Sequence, residues 1–156
     1  MTWTQKETMF LQELKSAEKT CVDRYIKFIE EACDGALKNL FQTLLKREQQ
    51  HLDTVTKLIE GTVPEMSGGS QSSTPQMQSE ENCGCESEGD DYKSDKFLCD
   101  DALASEKFAS SLYNTSIFVF KDTNVRNILN HIQKEEQEHG EMIYNYMKPR
   151  GMYASA

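Results

Sequence analysis

The sequence predicts an all-α protein, a four-helix bundle made of two antiparallel helix hairpins joined by a long disordered crossover. Three observations carry that expectation. Apolar residues recur at helical spacing in four stretches; turn signals divide the stretches into two pairs; and a set of Glu, His and Tyr positions in the first pair returns in the second at a fixed offset (18 + 88 = 106, 25 + 88 = 113, 48 + 88 = 136, 51 + 88 = 139). Around these positions Leu37-Lys38-Asn39-Leu40 realigns with Val125-Arg126-Asn127-Ile128.

In the first stretch Phe10, Leu11, Leu14, Cys21, Val22, Tyr25, Phe28, Ile29 and Ala32 follow the three- and four-residue steps of an amphipathic helix, and Glu18 falls inside the stripe. Asp34-Gly35 then marks a short turn, which makes the next helix an antiparallel neighbour. That second helix carries Leu37, Leu40, Phe41, Leu44, Val55, Leu58 and Ile59, with Glu48 and His51 interrupting its apolar face. From Gly61 to Asp91 the apolar periodicity stops, and Gly, Pro, Ser, Gln and Glu dominate, the composition of a disordered linker without core residues. A flexible chain of that length has an r.m.s. span of about 30 Å, and a helix of about 25 residues is about 38 Å long, so the linker reaches across a bundle.

The third helix is expected from about Ser94 to Phe120, with Leu98, Ala102, Ala109, Tyr113 and Ile117 on the face that holds Glu106. Asp122 or Thr123 caps the fourth, whose stripe is Val125, Ile128, Leu129, Ile132, Ile143 and Tyr146 with Glu136 and His139 in its middle; Pro149 and Gly151 end it. The expected organisation is a single domain over residues 1–156, with hairpin one at 5–60, the linker at 61–91 and hairpin two at 92–153.

Six polar residues thus sit at core-facing positions of four helices. Each hairpin contributes a Glu-x-x-His, whose two side chains share a helix face with Cβ atoms about 5–6 Å apart, and one further Glu. Buried carboxylates are costly unless paired or metal-bound. Two Glu and two Glu-x-x-His are the ligands of a dinuclear site inside a four-helix bundle, and four glutamates (−4) balance two divalent ions (+4). Glu18, Glu48, His51, Glu106, Glu136 and His139 are therefore the expected metal ligands, while His131, outside this pattern, is expected on the surface.

Composition narrows the setting. The chain of 156 residues has 26 acidic and 17 basic side chains and a net charge of −9, which argues against a nucleic-acid surface or an anionic membrane as partner. Met1 to Lys15 shows no signal peptide, and the longest apolar run, Ile117-Phe118-Val119-Phe120, is far short of the roughly 20 residues of a membrane span. A soluble protein made in a cytosol is expected. Five cysteines form no Cys-x-x-Cys pair, and their odd number fits a reducing compartment. Cys21, Cys33 and Cys99 read as packing residues, whereas Cys83 and Cys85 lie in the linker as exposed thiols, a cross-link or an adventitious metal trap.

The ligand pattern resembles the ferritin-like superfamily, and the Glu18 to Tyr25 and Glu106 to Tyr113 spacings look most like rubrerythrin. That resemblance implies that Tyr25 and Tyr113 hydrogen-bond ligand glutamates; core packing is their alternative role. Rubrerythrin-type sites carry a further carboxylate on helix three, but one turn after Glu106 this chain has Ala109 and Ser110, and no rubredoxin module follows Tyr153. A plainer di-iron oxidase or a manganese catalase-like centre is then expected ahead of a rubrerythrin-like peroxidase, with a separate electron donor for iron. A second resemblance runs through Ser105-Glu106-Lys107, Tyr113-Asn114, Arg126, Glu136-Gln137-Glu138-His139 and Met147-Lys148-Pro149-Arg150-Gly151-Met152-Tyr153. These motifs look like the coat F domain of bacterial spore coat proteins. The match implies synthesis in the mother-cell cytoplasm, deposition in the spore coat and other coat proteins as partners.

The functional expectation is a spore coat, ferritin-like homo-oligomer with two divalent ions, iron or manganese, that reacts with peroxide or oxygen. The rival expectation is a structural coat component that uses the bundle and metal for stability or assembly, and iron storage is a third.

Overall fold

A computed structural model describes residues 2–65 and 89–153. Four helices account for most of them: α1 (Gln5–Glu31), α2 (Gly35–Ile59), α3 (Asp90–Ile117) and α4 (Thr123–Met147), the last followed by one 3-10 turn at Lys148–Arg150. There is no strand among the described residues.

Local chemistry sets the helix ends. Thr4 and Glu7 form a reciprocal capping box at the start of α1, satisfying two otherwise orphaned backbone donors. Asp34 accepts from Ala36 N at 3.0 Å to cap α2, and Asp122 accepts from Asn124 N and Val125 N to cap α4. The third helix differs from the sequence expectation. It begins at Asp90, so Asp90 and Asp91 belong to the helix rather than the linker, and it ends at Ile117 rather than Phe120. Two acidic residues in the first turn favour this start by complementing the helix dipole. Gly151 closes the Lys148–Arg150 turn with φ 68°, a left-handed conformation that costs glycine little.

The hairpins α1–α2 and α3–α4 pack against each other through α1 on α3 and α2 on α4. Both cross-hairpin pairs are antiparallel. Moving seven residues forward on α1, from Glu18 to Tyr25, moves the partner seven residues back on α3, from Tyr113 to Glu106. With α1 antiparallel to both α2 and α3, the latter two run parallel, and the connection between them must travel the length of the bundle. Most of that connection, residues 66–88, lies outside the described residues, as do Cys83 and Cys85.

Two apolar clusters fill the interior. At the Asp34 end, Phe28, Leu40, Phe41, Leu44, Leu98, Ile143 and Met147 pack with Tyr25 and Tyr146. At the opposite end Leu11, Leu14, Val55, Leu58, Phe120, Leu129 and Ile132 pack with Tyr113. Val63, inside the segment expected to be a coreless linker, is partly buried against this second cluster. Trp3 closes the same end, donating Nε1–H to Leu58 O at 2.8 Å and meeting Phe120 edge-on at 5.8 Å. Cys21 and Cys99 are buried as expected. Cys33 is not a packing residue: it lies exposed in the α1–α2 turn, because Ala32 takes the inward position there.

That turn is where the hairpins lock. Asp95 of α3 is buried and accepts from the backbone of Cys33 and Asp34 at 2.8 and 2.9 Å. Tyr146 donates its hydroxyl to Asp34 at 2.6 Å, and Arg150 lies over the Tyr146 ring at 3.9 Å with Nε 3.7 Å from the same aspartate.

Candidate metal centre

Between the two apolar clusters each helix presents polar side chains to the axis. Glu18 comes from α1, Glu48 and His51 from α2, Glu106 from α3, and Glu136 and His139 from α4; none is more than 3% exposed. They form two overlapping groups. Glu18, Glu48, His51 and Glu136 can place one ligand atom each within 4.8 Å of one another, and so can Glu48, Glu106, Glu136 and His139. Glu48 and Glu136 belong to both, so each pocket takes three residues from one hairpin and borrows one carboxylate from the other.

The imidazoles face this centre through Nδ1. His51 Nδ1 lies 3.3 Å from Glu136, 3.5 Å from Glu48 and 3.8 Å from Glu18. His139 Nδ1 lies 2.9 Å from Glu48, 3.4 Å from Glu106 and 3.5 Å from Glu136. The two rings stack with centroids 5.5 Å apart. Six carboxylate and imidazole ligands, two of them shared, suit a pair of borderline divalent ions. The hydrogen-bond accounting points the same way. Glu18 Oε2, Glu48 Oε2, His51 Nδ1, Glu106 Oε2 and both Glu136 oxygens are buried without a hydrogen-bond partner, and they converge on one small volume. Buried polar atoms are rarely left so, and a cation would satisfy them.

The tyrosines cross between hairpins. Tyr25 on α1 donates its hydroxyl to Glu106 Oε1, and Tyr113 on α3 donates to Glu18 Oε1. Both are fully buried, and burial followed by the facing carboxylates raises their pKa well above the ordinary phenol value, which keeps them protonated donors. One turn after Glu106 the structure buries Ala109, with no carboxylate at that place.

Electrostatics within the cluster are divided. Burial raises Glu18 and Glu106 well above the usual carboxylate range. Burial opposes ionisation of Glu48 and Glu136 as well, but polar neighbours outweigh it and lower both: His139 and His51 at Glu48, and Glu106, His139 and His51 at Glu136. For His51 and His139 burial favours the neutral ring, yet the surrounding glutamates win and raise both well above 6.5. Cys21 borders the cluster, and burial followed by the same carboxylates raises its thiol pKa, so it stays a neutral thiol.

Sequence reasoning missed Glu135. Its carboxylate lies 2.8 Å from His51 Nε2 and 3.5 Å from His131 Nε2, joining the buried ring to an exposed one. The residue is half-buried beside Glu136, and nothing in the helical period distinguishes it from a solvated glutamate. Only the need of a buried imidazole for a partner on its outer nitrogen hints at it.

Comparison with known proteins adds a partial family match and a fold. Residues 94–156 match the Coat F domain family model. Over those residues the chain is similar to that family. Within the match fall Glu106, Glu136 and His139, Tyr113, and the Tyr146–Arg150 clamp onto Asp34. The matched segment spans α4 and all of α3 but its first turn. The chain superposes on a two-domain protein from Anabaena variabilis that contains DJ-1/ThiJ/PfpI-like and ferritin-like domains, with a TM-score of 0.69 and 14% identity. The alignment covers 96% of this chain and 38% of that one. No curated protein sequence matches the chain. No described helix is long and apolar enough to cross a membrane.

Proposed function

We propose that Glu18, Glu48, His51, Glu106, Glu136 and His139 hold two divalent ions, iron or manganese, in a protein of the bacterial spore coat, and that the centre reacts with peroxide or oxygen. The observation that carries the metal is the convergence of buried, unpartnered ligand atoms on a volume shared by two four-residue pockets. The Coat F segment supports the spore coat. On this reading the protein is made in the mother-cell cytoplasm, assembles with copies of itself and with other coat proteins, and draws electrons from a separate donor if the metal is iron.

When bound, such a metal pair supplies one-electron redox steps at each ion and Lewis acidity toward an oxygen substrate. The chain supplies the rest. Glu48 and Glu136 reach both pockets, Glu18 and Glu106 each reach one, and the imidazoles cap the two ends through Nδ1. Tyr113 and Tyr25 each occupy one oxygen of Glu18 and Glu106 and leave the other free for a ligand role. The apolar clusters on either side exclude water and fix these rotamers.

Elemental analysis of protein from its native source should find two equivalents of iron or manganese. With manganese the loaded protein should release oxygen from peroxide unaided; with iron the reduced protein should consume one equivalent of oxidant and stop until a reductant is added. Glu18→Ala and Glu106→Ala should each suppress either behaviour. A loaded protein showing neither would leave the structural role, which has its own support: the Coat F segment contains the Tyr146–Arg150 clamp, whose contacts serve packing and not the centre.

A further inference from the structure

The two pockets look like copies, but their outer supports differ. The offset that superposes the hairpins pairs Glu135 with residue 47 (135 − 88 = 47), and residue 47 is an arginine. Around His51, a carboxylate stands 2.8 Å from the outward ring nitrogen. With Glu135 accepting, Nε2 keeps its N–H, and Nδ1 is the nitrogen turned as a ligand toward Glu18, Glu48 and Glu136. At the position that would serve His139 in the same way, Arg47 is turned to Glu138 at 3.8 Å. A guanidinium has no acceptor to offer an N–H. His139 Nε2 is accordingly buried without a partner.

We infer that the centre is built unequally: Glu135 is a positioning residue that makes the His51 pocket the first and tighter of the two metal sites, and the His139 pocket fills second. This rests on the dinuclear reading of the six ligands. A carboxylate behind a ligating imidazole fixes its tautomer and orientation and strengthens it as a donor, and loss of such a partner weakens metal affinity by about 10–100-fold. Only one of the two imidazoles here has that support. The inequality was invisible in the ligand pattern because all six ligands obey the repeat; it lies in a neighbour that breaks it.

The test is titration of the full chain with Mn(II), followed by calorimetry and by the electron paramagnetic resonance signal of free Mn(II). Wild type should bind two equivalents in two resolved steps. Glu135→Gln should weaken the first step by about 10–100-fold and leave the second within about threefold. Arg47→Gln, at the equivalent position, should leave the first step unchanged. His51→Ala should remove the tight step and His139→Ala the weak one, with circular dichroism confirming that each variant is folded. The inference is overturned if two equivalents bind but Glu135→Gln changes neither step, if Arg47→Gln weakens binding as much, or if His139→Ala removes the tight step; the dinuclear reading would survive all three. Failure of wild type to bind any Mn(II), Fe(II) or Zn(II) would overturn both.

Discussion

Tyr25 and Glu106 stand on different hairpins, and the hydroxyl of the one donates to the Oε1 of the other across the α1–α3 interface. Tyr113 and Glu18 repeat the relationship in reverse. Each hairpin therefore holds in place a carboxylate of its neighbour. Tyr25→Phe should leave Glu106 Oε1 buried and unpaired, at a cost of about 1–3 kcal/mol in denaturant unfolding under chelation. Tyr113→Phe should cost a similar amount through Glu18. Values within about 0.5 kcal/mol of wild type, the range of ordinary surface changes, would mean that the tyrosines only fill space.

Metal should couple to stability. A ligand that binds only the native state stabilises by RT ln(1 + [L]/Kd), about 4 kcal/mol at a thousandfold excess over Kd. Chelation should lower the melting temperature. Glu136→Ala removes a carboxylate common to both pockets and should abolish the metal-dependent part, whereas His131→Ala, on a half-exposed ring outside both, should preserve it. Equal losses in differential scanning fluorimetry would contradict the ligand assignment.

The pH dependence of the chelated protein has a definite sign. Glu18, Glu106, His51 and His139 have native pKa values above their unfolded ones, so their contribution is full below the unfolded pKa and is lost as pH rises. Loss begins above about 4.5 for the two glutamates and steepens above about 6.5, where the histidines join. Glu48 and Glu136 are shifted down, so theirs is present above about 4.5 and lost in acid. The site's contribution to the chelated protein should therefore peak near pH 4.5 and decline through neutrality. Divalent ions displace the retained protons, so loading should release protons and the loaded protein should gain stability on going from pH 6.5 to 8. Melting curves with and without chelator check the crossing trends, and calorimetry in two buffers of different ionisation heat checks the proton release.

Two aromatics two positions apart in the α3–α4 connection should behave oppositely. Phe118 is 86% exposed and Phe120 only 3%. Phe120→Ala opens a cavity beside Trp3 and should cost about 3–5 kcal/mol, while Phe118→Ala should stay within about 0.5 kcal/mol. Urea midpoints of the two variants decide it.

Helical period and the repeat made the bundle and all six axial residues legible, because a burial stripe and a ligand spacing are both periodic in sequence. What escaped was not periodic. Asp90 and Asp91 read as linker because their helix-forming value comes from the dipole of a first turn. Val63 and Trp3 pack at the bundle end through single contacts that no stripe predicts. The tyrosine partners were expected to be glutamates, but the period of one helix says nothing about which helix lies opposite, and the crossing from Tyr25 to Glu106 emerges only from the antiparallel docking of α1 on α3. Glu135 was hidden for the same reason.

The loaning of one carboxylate and one tyrosine between hairpins means that neither half contains a finished pocket. A single hairpin with a Glu, a Tyr and a Glu-x-x-His, docked on a second copy about a twofold axis, would build the same pair of pockets. This chain is in that sense a tethered dimer. Tethering makes assembly of the centre intramolecular and independent of protein concentration. It also frees the halves from having to match themselves: a residue such as Arg47 or Glu135 can serve one pocket without being imposed on the other, an asymmetry that identical subunits could not hold.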